Sequence, residues 1–110
     1  MKTKIALLIL ATSFSGSVLA KDVKHCQKVD QKEIEALFDR WNDSLQTGDA
    51  KTVADNYLSD AVLLPTVSNK VRLTDAERKD YFVDFLKKKP LGKIDSRNIR
   101  IGCNEAIDAG

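Results

Sequence analysis

The first twenty residues, MKTKIALLILATSFSGSVLA, set the terms for everything that follows them. Lys2 and Lys4 form a short basic region, and Ile5 to Phe14 an apolar stretch too short to cross a bilayer. Val18-Leu19-Ala20 places small or compact residues at a cleavage site. This is the pattern of a secretory signal peptide cut after Ala20, so the protein is expected to be exported, periplasmic or secreted. Residues 21–110 are then what must fold. A chain of that length makes one small domain and buries only about 60–65% of its unfolded surface. No later apolar run approaches about 18 residues, so no membrane association is expected once the leader is gone.

Export bears on the two cysteines, Cys26 and Cys103, which both lie in the mature part. In an oxidising compartment two cysteines usually pair, and a bridge closing so long a loop stabilises by at most roughly 4–5 kcal/mol. Two separate buried thiols are the alternative. No metal site is expected, because two distant cysteines and the single His25 do not form a zinc ligand set. The chain has 18 basic and 16 acidic residues, and two of the lysines belong to the leader. The mature protein is therefore formally neutral, with no overall pull toward nucleic acid.

The mature sequence is punctuated by capping signals. Asp30-Gln31-Lys32-Glu33 reads as a capping box, followed by Ile34, Leu37, Phe38, Trp41 and Leu45 at helical spacing. Gly48 ends that helix, and Asp49 caps a second, shorter one carrying Val53, Ala54 and Tyr57. Ala61 to Leu64, stopped by Pro65, reads as a buried strand, and Lys70 to Leu73 as a brief second one. Thr74-Asp75-Ala76-Glu77 is another capping box. It opens a third helix with Ala76, Tyr81, Phe82, Phe85 and Leu86 inward, closed by Lys87-Lys88-Lys89 and Pro90. From Lys93 to Ile101 the chain reads as extended, with Ile99 and Ile101 on one face and Asn98 and Arg100 on the other. The order predicts an α+β architecture. Residues 21–29 form an N-terminal lead and 30–110 one domain.

The run LFDRWNDSLQTGD, leading straight into AKTVADNYLSDAVLLP and followed in order by DAVLLPTVSN and RNIRIG, resembles the cone-shaped nuclear transport factor two-like fold. Within that superfamily, which includes the SnoaL-like proteins, it is similar to the calcium/calmodulin-dependent protein kinase II association domain. The free-standing exported bacterial forms of that domain are nearer still. The segments that carry the likeness are Phe38 to Pro65 and Leu86 to Gly102. The resemblance implies three N-terminal helices packed on a curved, mostly antiparallel sheet, and self-association as a dimer or higher homo-oligomer. In that family further long strands follow the position of Ala106-Ile107-Asp108. The sheet is accordingly expected to be incomplete in residues 30–110 and to be finished by further chain or by a partner.

If the family fold holds, Trp41, Tyr57, Phe82 and Phe85 line the mouth of a pocket, although each also fits ordinary core packing. Tyr57 stands out because its hydroxyl adds a polar handle. Arginines inside the pocket are a family feature, so Arg100 is a candidate donor to a small anionic or carbonyl ligand; it equally fits the solvent face of its strand. Asp60 is a weak candidate base, better read as part of the turn before the first strand. Lys87-Lys88-Lys89 more simply complements the helix dipole than binds an anion. Asn42-Asp43-Ser44 matches a glycosylation sequon but lies mid-helix. No Ser-His-Asp or Cys-His set can be assembled, and there is no phosphate loop or kinase motif, so kinase activity and calmodulin binding are not expected. The reading that results is a non-catalytic association and ligand-binding domain without a cofactor. The alternative is a small superfamily enzyme (isomerase, dehydratase or cyclase) acting on a hydrophobic carbonyl compound.

Overall fold

The computed structural model describes residues 25–110, so the leader lies outside the described residues. Helix α1, Gln31–Gln46, begins where the capping signal places it. The Asp30 carboxylate accepts the Glu33 amide at 2.9 Å, and the Glu33 carboxylate accepts the Asp30 amide at 2.7 Å. Gly48 follows the C-cap with φ 67°, a left-handed conformation that glycine adopts without penalty. Asp49 then caps α2, Ala50–Ala54, by accepting the Lys51 and Thr52 amides. Thr74 caps α3, Asp75–Phe85, by accepting the Glu77 amide. Here the box differs from expectation: Glu77 accepts from the amide of Leu73, one residue before the cap, at 2.8 Å.

Helices α2 and α3 pack on one another, and the core sits between them and the end of α1. Its buried side chains are Leu45, Ala50, Val53, Ala54, Tyr81 and Phe82. Val53 and Phe82 are essentially inaccessible, each worth about 1.5–3 kcal/mol of apolar burial. Phe85 and Leu86 pack partly buried against this cluster, but Ala76 is exposed. The further inward side chain of α3 is Arg78, fully buried. It donates to the carbonyls of Ala61 at 2.6 Å, Leu58 at 3.0 Å and Ser59 at 3.2 Å, pinning the segment after α2 onto α3.

That arginine helps explain the main correction to the sequence reading. Ala61–Leu64 is not a buried strand. It pairs with Lys70–Leu73 at one bridge, Leu63 with Arg72, while Val62 and Leu64 are 59% and 72% exposed. Arg78 occupies the Ala61 carbonyl, and Pro65 has no N–H to give, so a ladder can form only between them.

The sheet among the described residues is one antiparallel hairpin, β1 (Asn98–Gly102) with β2 (Glu105–Ala109), in register Arg100 with Ile107. β1 starts later than the extended reading from Lys93, and β2 is a full strand. Asn104, at φ 57°, makes the turn between them. The class is α+β, with helices packed on a short antiparallel sheet. Two ties hold the hairpin region to the rest. Cys26 and Cys103 form the expected disulfide, with Cα atoms 4.8 Å apart. Beside it, the Asn104 side chain accepts the Gln27 amide at 2.8 Å and donates to the His25 carbonyl at 3.1 Å. Further along α1, Asn42 donates to the Gly92 carbonyl at 3.0 Å and accepts its amide at 2.7 Å. The approach is close: a Cβ at Gly92 would lie 2.8 Å from the Phe38 ring. The sequon asparagine is therefore a structural clamp.

Candidate functional site

Three of the four ligand-binding candidates meet. Trp41 from α1, Tyr57 just after α2, and Phe82 with Phe85 from α3 line a cavity of about 130 Å³, closed on its other side by Leu63 to Thr66. The aromatic rings support each other. Tyr57 and Phe82 have centroids 5.8 Å apart, and Tyr81 stacks on Phe85 at 5.5 Å. Helical spacing puts Tyr81, Phe82 and Phe85 on one side of α3, and the Gly48 turn folds α2 back so that Tyr57 faces them.

Two polar atoms enter this apolar wall. The indole nitrogen of Trp41 is buried and, among the described residues, meets no acceptor at full hydrogen-bonding geometry. It lies near enough to the Tyr57 oxygen to act against the main influence there, burial, which pushes the Tyr57 hydroxyl above its ordinary phenolic value. A buried donor without an acceptor is unusual and costs about 1–3 kcal/mol. An acceptor on a ligand, such as a carbonyl or carboxylate oxygen, would remove that cost.

Arg100 does not reach this cavity. On the hairpin, Arg97, Ala106 and Asp108 belong to the face toward α1. The Arg97 guanidinium lies 5.7 Å from the centre of the Phe38 ring, and Asp108, 3.0 Å from Arg97, helps line a groove with Ile34 and Leu37 of α1. Arg100 and its partner Ile107 alternate to the opposite face, where both are exposed and border a separate shallow depression. The expected pocket shared by Tyr57 and Arg100 is thus not formed among the described residues. Asp60 and His25 are also exposed and line none of the aromatic cavity. The groove at α1 is larger, about 410 Å³, and two of its polar groups are already engaged: Asn104 holds the N-terminal lead, and Asp108 pairs with Arg97.

The surface carries a second feature. Leu58, Val62, Leu64, Val67, Val71 and Leu73, all from the segment between α2 and α3, are more than two-fifths exposed, Leu58 reaching 77%. So many apolar side chains in one short stretch outnumber what scattered surface hydrophobics require.

An α+β domain of capped helices on an antiparallel hairpin, with an aromatic cavity between helices, fits the nuclear transport factor two-like class. The comparisons with known proteins narrow it. The calcium/calmodulin dependent protein kinase II association domain family matches residues 30–110, and the chain belongs to that family. A crystal structure described as a candidate association domain of this kind, from Xanthomonas campestris, is 48% identical and superposes with a TM-score of 0.72. The match covers 76% of this chain and 60% of the Xanthomonas protein, so this chain spans about three-fifths of that relative's length. No curated protein matched.

Proposed function

We propose that this protein is an exported, non-catalytic association domain that self-associates and holds a small anionic or carbonyl ligand in its aromatic cavity. The observation that carries self-association is the imbalance between the small core and the exposed apolar segment 58–73. Covering that segment with a second copy removes apolar surface from water at about 25 cal/mol per Å². Membership of an association-domain family points the same way.

The ligand half rests on the buried Trp41 indole nitrogen, which has no well-aligned acceptor among the described residues and lies close to the Tyr57 hydroxyl. The lining residues, Trp41, Tyr57, Leu63 to Thr66, Tyr81, Phe82 and Phe85, include no carboxylate, imidazole or thiol. This supports binding over the enzyme alternative, which needs a positioned base. Native mass spectrometry of protein purified from the exported fraction tests both halves. The expected spectrum shows a dimer or higher homo-oligomer and, under gentle conditions, a retained small molecule. A bare monomer at micromolar concentration would overturn the proposal.

A further inference from the structure

The disulfide stands apart from both the core and the aromatic cavity. Cys26 lies in the N-terminal lead and is exposed, whereas Cys103 is half-buried in the turn between β1 and β2. The next residue, Asn104, holds the same lead: its side chain accepts the Gln27 amide and donates to the His25 carbonyl. One covalent bond and two exposed hydrogen bonds thus fasten residues 25–29 to the hairpin turn. The lead in turn walls the groove at α1, where Gln27 and Val29 meet Ile34 and Leu37 of the helix and Ala106 of β2. Among the described residues, the core cluster takes no side chain from the lead or the hairpin.

We infer that Cys26–Cys103 is a thiol–disulfide exchange site that latches the lead over the groove, and that its co-reactant is the dithiol of a redox protein. The step is a two-electron exchange. A thiolate of the dithiol attacks the exposed Cys26 Sγ, the S–S bond breaks, and Cys103 leaves as a thiolate that takes up a proton. The second thiol of the redox protein then loses its proton and attacks its own partner sulfur in the mixed disulfide. Cys26 leaves and is protonated; the dithiol is oxidised and the Cys26–Cys103 bond has been reduced. Access decides which sulfur is attacked, and only Cys26 belongs to an exposed residue. Once the bond is cut, two exposed hydrogen bonds are left to hold residues 25–29. Such bonds contribute little net against the entropy of ordering a chain segment, so the lead leaves the turn. The groove then loses a wall and bares Ile34 and Leu37, the latter 48% exposed even with the lead in place. The core stays folded, because its side chains come from elsewhere.

Two measurements on the wild-type mature protein test this. The first is amide hydrogen exchange, followed residue by residue by NMR before and after reduction with a phosphine. After reduction the Gln27 amide is expected to exchange at least tenfold faster than before, and at least a hundredfold faster than the core amides of Leu45 and Phe82. A Gln27 amide that keeps its oxidised rate would overturn the latch. So would Leu45 and Phe82 exchanging as fast as Gln27 in the reduced protein, because the lead would then open only with the whole fold. The second uses thioredoxin whose resolving cysteine is replaced by serine, which arrests the exchange at the mixed disulfide. Peptide mapping should find it joined to Cys26 of the folded protein. Capture on Cys103, or capture only after urea is added, would overturn the exchange site.

Discussion

Replacing Arg78 with methionine removes the guanidinium but keeps an unbranched side chain of comparable reach. Three backbone carbonyls, of Leu58, Ser59 and Ala61, then lose their donor at once. A hydrogen bond to a charged group is worth about 1.5–3 kcal/mol, and three are lost here. Two corrections pull the figure down. Leu58 and Ser59 are exposed residues, so water can reach part of what Arg78 leaves. The buried charge also meets no carboxylate, and its Nε has no partner, so its removal relieves some desolvation. The expected loss is therefore on the order of 3 kcal/mol, a large share of the roughly 5–15 kcal/mol available to a domain. Urea unfolding of the oxidised protein, followed by Trp41 fluorescence at one fixed protein concentration, measures it. Arg78→Ala should lose more, because a cavity is added. If Arg78→Met unfolds within about 1 kcal/mol of wild type, the segment 58–61 does not depend on the guanidinium and the reasoning fails.

Other outcomes follow from particular contacts. Expressed in a glycosylating host, the protein should carry no glycan at Asn42 by intact mass, because both ends of that amide are engaged by Gly92. Peptide mapping without reduction should join Cys26 to Cys103, and reduction should lower stability by up to roughly 4 kcal/mol by calorimetry; two freely alkylated thiols would contradict the fold. Hydrogen bonds from the Thr52 hydroxyl and then the Lys51 amide hold the Asp49 carboxyl below its ordinary value. A depressed carboxyl contributes stability that is present above the unfolded value and lost as pH falls through the folded one. The advantage of wild type over Asp49→Asn in thermal melts should therefore be present at about pH 6 and absent at about pH 2. N-terminal sequencing of the exported protein should begin at Lys21.

What could be read from the sequence was local. Asp30, Asp49 and Gly48 act on amides or dihedrals within a few residues of themselves, so short-range chemistry located α1 and α2. The Cys26–Cys103 pairing was legible for a different reason: two cysteines behind an export leader leave few options. Arg78 was not legible, because a charged residue in a helix is ordinarily solvated and its acceptors lie 17 to 20 residues away in the chain. The strand at Ala61–Leu64 was over-read for the same reason, since the competitor for its carbonyl came from α3. At Arg100 the alternation was right and the face was not decided, because period two says which residues share a face and nothing about which face is inside. Arg72 was read only as part of the brief strand Lys70 to Leu73; its place over the Tyr81 ring was hidden because it depends on the single bridge to Leu63.

Sedimentation equilibrium of residues 21–110, oxidised and over a range of loading concentrations, tests self-association most directly. The account predicts a homo-oligomer whose mass falls toward the subunit as concentration drops, and Leu64→Asp should shift that balance toward monomer, since Leu64 is 72% exposed in the isolated subunit. A well-behaved monomer at every concentration, unchanged by Leu64→Asp, would contradict it.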